Sequence, residues 1–134
     1  MIISTAWVSG VLFFIFNQWV RIEGEFSLLR HPLQQVFLRI HGAAAFLMMI
    51  MYGFTLGTHV LPKWKHKNLS NLGRTMTVLI GSLILSAYLL YYVGHEYIRQ
   101  IIMFIHVGIG FILPVVLATH IIAIKKTYKK GHHQ

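Results

Sequence analysis

Hydrophobic residues in this chain form four long runs that are separated by short polar stretches. The runs cover residues 2–20, 36–61, 75–93 and 98–124. Each run is close to or longer than the roughly 20 apolar residues that a helix needs to cross the hydrocarbon layer of a bilayer. The pattern therefore predicts an all-α protein, a four-helix transmembrane bundle that forms a single domain over residues 1–134.

Prolines mark both ends of the second run. His31-Pro32 predicts a loop ahead of the second helix, because the residue before a proline disfavours the α conformation, and Pro62 predicts the end of that helix. The third run contains small residues that permit close packing between helices. They are Gly81, Ser82, Ser86 and Ala87.

Composition supports a membrane protein. The chain has 134 residues, of which 56% are hydrophobic and 11% charged, and its mean hydropathy of +0.64 is too high for a water-soluble domain of this size. A net charge of +9 would suggest a nucleic-acid partner in a soluble protein. Here the basic residues lie at the ends of the apolar runs, so we expect no nucleic acid. The chain has no cysteine, which excludes disulfides, iron–sulfur clusters and covalently attached c-type haem.

The distribution of charge predicts the orientation in the membrane. Basic residues are concentrated between the second and third runs and after the fourth, two regions that share a side in a four-span protein. They are Lys63, Lys65, Lys67, Arg74, Lys125, Lys126, Lys129 and Lys130. The positive-inside rule places that side in the cytoplasm, and all three acids, Glu23, Glu25 and Glu96, fall on the other side. We therefore expect a multi-pass protein of a bacterial inner membrane with both termini cytoplasmic.

Four of the nine histidines lie inside apolar runs, where an imidazole is costly without a partner. His41 and His59 are 18 positions apart, which is five whole turns of an α-helix, and His106 and His120 are 14 apart, within about 40° of one face. The other histidines lie at boundaries or in polar stretches, where we expect them to be solvated or interfacial. They are His31, His66, His95, His132 and His133.

The second and fourth helices of a four-span bundle run parallel, so their histidines are expected at two matching depths. His41 and His106 would face each other in the periplasmic half, and His59 and His120 in the cytoplasmic half. Two facing imidazoles are what bis-histidine ligation of a haem iron requires, so the pattern predicts two haem b groups with these four residues as iron ligands. The rise between ligands is about 27 Å on the second helix and about 21 Å on the fourth, and a strongly tilted second helix would reconcile them.

Other interpretations of the histidines stay open. A closed zinc site needs four ligands at one point, and copper or proton-relay interpretations face the same separation of about 21 Å between the pairs. Each histidine could instead bond a neighbouring helix. The poverty of intramembrane carboxylates argues against an ion transporter.

Glycines and cations could complete the haem sites. Gly53 and Gly110 would leave room for a flat macrocycle, although close helix packing explains them equally well. Arg39 and Arg99 could pair with the propionates of the periplasmic haem, and Arg74, Lys63 or Lys125 with those of the cytoplasmic one. Pro114 should kink the fourth helix and re-aim one ligand.

The motifs "HGAAAFL", "GTHV", "FIHVGIG" and "ATHII" resemble those of the small bacterial dihaem b-type membrane cytochromes. That superfamily includes cytochrome b561-like proteins and the b-type subunits of membrane hydrogenases and formate dehydrogenases. The first helix of this chain lacks the histidine of many cytochrome b561-like proteins, and the use of two ligand helices is more similar to respiratory-chain cytochrome b. The resemblance implies electron transfer between a membrane quinone/quinol pool and a redox partner protein.

The expected function is therefore electron transfer across the membrane, as a quinol/quinone oxidoreductase subunit with a soluble or membrane redox protein as partner. Imidazole on both sides of the iron leaves no position for dioxygen. Residues that could accept a quinol proton are Glu23, Glu25, His95 and Glu96. The alternative is a membrane anchor subunit of a larger respiratory complex without redox activity of its own, and a homodimer is open in either case.

Overall fold

The computed structural model describes residues 1–23, 28–66 and 68–131. The chain divides into two compact units, Met1–Gly53 and Phe54–Gln134. The first unit contains two helices joined by a small β-hairpin. Its elements are α1 (Ile2–Gln18), β1 (Arg21–Glu23), β2 (Leu28–Arg30) and all but the last two residues of α2 (Pro32–Thr55).

The β-hairpin connects α1 to α2. Its strands are antiparallel, with Arg21 opposite Arg30 and Ile22 opposite Leu29. The sequence pattern did not predict it, because strands of three residues are too short to show an alternation of polar and apolar positions.

The start of α2 corrects one prediction. The helix begins at Pro32, where a fixed φ angle suits the first turn and the missing N–H is not needed. The His31 side chain caps the start of the helix, because its Nδ1 atom accepts a hydrogen bond from the Leu33 backbone N–H at 3.2 Å. The loop expected at residues 32–35 is therefore helical.

Two side-chain contacts join α1 and α2 near the hairpin. The Gln34 Nε2 atom donates to the Asn17 Oδ1 atom at 2.8 Å, and the rings of Phe16 and Phe37 meet edge to face with centroids 5.1 Å apart. Gln34 is only 2% exposed. An amide pair therefore lies within the packed part of the first unit.

The second unit begins with a change in the helical hydrogen bonding. A π-helical turn (Leu56–Val60) follows α2, and the Leu61 N–H donates to the Leu56 carbonyl five residues earlier. A short helix, α3 (Leu61–Lys65), continues without a break. Pro62 was expected to end the helix but lies in the first turn of α3, where its missing N–H is tolerated.

Two longer helices complete the second unit, and they pack against each other. In α4 (Asn71–Tyr92), the Ser70 hydroxyl caps the helix by accepting the Gly73 N–H at 3.1 Å. The following helix, α5 (Glu96–Gly131), has the acidic residue Glu96 in its first turn. A negative charge there interacts favourably with the positive end of the helix dipole. The helix runs unbroken through Pro114.

The all-α class is confirmed. Three helices are long and apolar enough to cross a membrane, namely Pro32–Lys65, Asn71–Tyr92 and Glu96–Lys126. The first helix, Ile2–Gln18, is apolar but shorter, with 17 residues. Large apolar side chains such as Phe46, Phe54 and Ile122 are exposed along these helices, as expected of surfaces that face lipid.

Candidate functional site

His41 bonds to the backbone of a neighbouring helix within the first unit. Its ring is half-buried, and its Nδ1 atom lies 2.8 Å from the carbonyl oxygen of Ala6 in α1. A carbonyl oxygen can only accept, so Nδ1 carries the proton.

Gly10 makes room for this ring. A Cβ atom at Gly10 would lie 2.8 Å from the His41 Cε1 atom and 2.9 Å from its Nδ1 atom, closer than side chains approach one another. Ala6, one turn earlier on α1, is also buried. Two small residues four positions apart therefore allow the imidazole to lie directly against α1.

His106 has a comparable arrangement in the second unit. Its Nδ1 atom lies 2.8 Å from the Ser86 hydroxyl oxygen, and that hydroxyl donates to the Leu83 carbonyl oxygen at 3.1 Å. Whether Nδ1 donates to the hydroxyl or accepts from it depends on the tautomer, and in either case the Ser86 hydroxyl holds the ring through Nδ1. Ser86 is only 6% exposed, and a buried chain of two hydrogen bonds fixes this ring.

Both histidines are therefore held through their Nδ1 atoms. Metal-bound histidines commonly donate the proton of one ring nitrogen to a carbonyl or another acceptor, which orients the ring and raises the basicity of the other nitrogen. His41 donates its Nδ1 proton in this way, and the Nδ1 atom of His106 is held by Ser86. Each ring by itself is thus oriented as metal-bound histidines commonly are.

His59 and His120 lack such support. His59 lies in the π-helical turn and is exposed, and His120 is half-buried on α5. Within residues 1–23, 28–66 and 68–131, neither ring forms a hydrogen bond or a ring contact. His41 and His59 are not joined by a regular α-helix, because the π-helical turn that contains His59 takes more residues than an α-helical one. Their separation of 18 positions is therefore not five whole α-helical turns. The count between His106 and His120 holds, since both lie on α5.

The predicted arginines and glycines lie at the surface. Arg39 and Arg99 are exposed, and the Arg74 guanidinium carbon lies 6.0 Å from the centroid of the Trp64 ring. A Cβ atom added at Gly53 or Gly110 would meet no atom within 4 Å. These two glycines therefore border open space.

The residues proposed to accept a quinol proton are also exposed where the structure describes them. Glu23 lies on β1, His95 precedes α5, and Glu96 is in the first turn of α5. Glu25, Lys67, His132 and His133 lie outside the described residues. In the described part of the chain, no group of three or more histidine, cysteine, aspartate or glutamate side chains is arranged to hold a metal ion.

An open groove of about 370 Å³ runs between α1 and α2. Its walls include Leu12, Phe37 and Ile40. The hydroxyls of Thr5 and Ser9 in its lining donate to backbone carbonyls of their own helix. The groove is therefore suited to an apolar chain.

Sequence reasoning missed Gly10 and underrated Ser86. The pair Ala6 and Gly10 has the four-residue spacing of small residues that allows close helix contact, and this spacing is visible in the sequence. Ser86 was assigned to helix packing alone. Its position opposite His106 depends on how α4 and α5 pair, which the spacing along one helix does not reveal.

No protein-family model matches the chain, and no curated protein or solved structure is significantly similar to it.

Proposed function

We propose that the chain is a dihaem b-type cytochrome that passes electrons across a membrane between a quinone/quinol pool and a redox partner protein. In this proposal the chain forms a four-span bundle, with α1 as the shortest span. The haem ligands are His41, His106, His59 and His120. The observation that carries the proposal is that His41 and His106 are each held through Nδ1 by a group on a neighbouring helix.

The chain's own residues would perform three tasks. The Ala6 carbonyl and the Ser86 hydroxyl would hold the rings of His41 and His106 in fixed orientations. The exposed Arg39, Arg99 and Arg74 would pair with propionates. Bound haem b would supply a one-electron carrier.

The quinol would give up its protons near one face of the membrane. Glu23, His95 and Glu96 are exposed and polar and lie next to the ends of apolar helices. A carboxylate or imidazole at such a boundary can accept a proton from a quinol. Little of the chain lies outside the apolar helices, so a partner protein, or a second copy of the chain, would supply the soluble redox site.

A visible spectrum of the purified protein tests the proposal. The full chain should show low-spin b-type bands after oxidation and after reduction with dithionite, with two haems per chain. His41→Ala and His106→Ala should remove the same haem, and His59→Ala and His120→Ala the other. His66→Ala is the matched control, because His66 is exposed and outside the apolar runs, and it should keep both haems.

A colourless protein with intact helical content would reject the cytochrome and support the membrane anchor. Loss of different haems from His41→Ala and His106→Ala would reject the pairing of the ligands. Circular dichroism of each variant separates loss of a ligand from loss of the fold.

A further inference from the structure

The α4–α5 pair gathers basic residues at one end of the second unit. The contact between Ser86 and His106 places these two residues at the same depth. Because the helices are antiparallel, the chain before Ser86 and the chain after His106 run in the same direction. Arg74 lies twelve residues, about 18 Å, along α4 from that contact, and Lys125 lies nineteen residues, about 28 Å, along α5.

The short helix α3 joins the same end. The Arg74 guanidinium carbon is 6.0 Å from the centroid of the Trp64 ring, so Trp64 lies beside the first turn of α4. Lys63 and Lys65 flank Trp64 in the sequence and are exposed. We call the four exposed lysines of this region, Lys63, Lys65, Lys125 and Lys126, the basic end.

Within the second unit, no acidic residue lies close to the basic end. Glu96 is the only aspartate or glutamate between residues 54 and 134. It lies ten residues before His106, about 15 Å from the Ser86 contact in the opposite direction. The axial distances from Glu96 to Arg74 and to Lys125 are the sums of these values. Each is several times the screening length of about 8 Å at physiological ionic strength. The lysines therefore create a positive electrostatic potential at this end.

The surroundings of the lysines indicate what they bind. Trp64 is 54% exposed, and tryptophan is enriched at the level of lipid headgroups. Each apolar helix of this unit that reaches the basic end has length and composition to cross a membrane. A positive patch with an exposed tryptophan at the end of such helices matches a surface of negatively charged headgroups.

We propose that the basic end binds the phosphate headgroups of anionic phospholipids, with Trp64 seated among them. The lysine ammonium groups contact the phosphates, and the tryptophan ring fills the boundary between headgroup and acyl chain. This binding does not require haem, so it is independent of the proposed electron transfer.

Native mass spectrometry of the detergent-solubilised full chain tests this binding. Equal amounts of phosphatidylglycerol and phosphatidylcholine with identical acyl chains are added, and the retained lipid is counted. The wild-type protein should retain phosphatidylglycerol preferentially. The double variant Lys125→Gln/Lys126→Gln should lose the preference by roughly 10-fold to 30-fold, given the effect of each lysine near an anionic surface. Lys63→Gln/Lys65→Gln should behave in the same way.

The matched control removes the same charge elsewhere. Arg21→Gln/Arg30→Gln neutralises two exposed cations of the β-hairpin in the first unit and should keep the preference. Equal retention of the two lipids by the wild-type protein, or an equal loss in the control variant, would overturn the proposal. Displacement of the lipid by inorganic phosphate at comparable concentration would also overturn it, because the surface would then recognise the phosphate ion alone.

Discussion

The Nδ1 atom of His41 lies 2.8 Å from the carbonyl oxygen of Ala6, so a side chain of α2 is bonded to the backbone of α1. The two residues are 35 positions apart in the sequence. The bond assigns the proton of the ring to Nδ1 and brings the ring against Gly10. A histidine that looks isolated in the sequence is therefore held in one orientation and one tautomer.

The substitution Gly10→Ala should displace the His41 ring. The added Cβ atom would lie within 3 Å of two ring atoms, and the ring is the part that can move. Alanine gains about 1 kcal/mol of helix propensity over glycine, while loss of the hydrogen bond costs roughly 0.5–1.5 kcal/mol. We expect little change in the free energy of unfolding but a loss of the Nδ1-protonated tautomer, measured by ¹⁵N NMR of histidine-labelled protein, together with a lower haem content.

Gly42→Ala is the control for this substitution. A Cβ atom at Gly42 would meet nothing within 4 Å, so it should leave the tautomer of His41 unchanged. An unaltered His41 resonance in Gly10→Ala would contradict the predicted steric conflict.

The substitution Ser86→Ala should release His106. It removes the hydroxyl that lies 2.8 Å from Nδ1 and leaves Nδ1 without this partner. Removing a partner that orients a metal-bound histidine weakens metal binding by roughly 10-fold to 100-fold, which a titration with haem measures. Ser86→Thr keeps the hydroxyl and should restore binding.

Ser82→Ala is the matched control, because Ser82 lies one turn earlier on the same helix. It should change neither haem affinity nor the ¹⁵N resonance of His106. Equal effects of Ser82→Ala and Ser86→Ala would show that only the packing of α4 matters.

The amide pair of Asn17 and Gln34 should couple α1 to α2. The Gln34 Nε2 atom donates to Asn17, and the Gln34 Oε1 atom is buried without a partner in the described part of the chain. Asn17→Leu should destabilise the protein more than Gln34→Met, because it leaves the whole buried amide unpaired. Adding Gln34→Met to Asn17→Leu should recover stability.

Hydrogen bonds between membrane helices contribute about 0.6 kcal/mol on average and up to about 1.7 kcal/mol. We expect the coupling between Asn17 and Gln34 to fall in this range. Thermal unfolding in detergent of the two single variants and the double variant measures it. Additive losses in the double variant would show that the two amides do not interact.

Much of the helical architecture follows from the sequence, because long apolar runs have few other stable structures in a membrane. The second, third and fourth runs correspond to Pro32–Lys65, Asn71–Tyr92 and Glu96–Lys126. Errors arose at proline. The sequence predicts a loop at His31-Pro32 and a helix end at Pro62, yet each proline lies in the first turn of a helix, where proline is favourable.

Groups on neighbouring helices hold two of the four histidines that lie in apolar runs, His41 and His106. The sequence singled out all four, with His59 and His120, because an imidazole in an apolar run needs a partner. It did not identify Ala6 or Ser86 as those partners, since hydrogen bonds between helices depend on rotation and depth. The π-helical turn at Leu56–Val60 was also unpredicted, because no residue type marks it.

The amino-acid sequence alone determined the all-α class, the apolar helices and the concentration of positive charge, because these follow from hydropathy and from counts of charged residues. Tertiary packing decided which groups hold the Nδ1 atoms of His41 and His106 and which small residues lie beside the rings. Those details depend on contacts of about 3 Å between segments far apart in the chain. Helical periodicity gives the face of a residue but not the atom that it meets on the next helix.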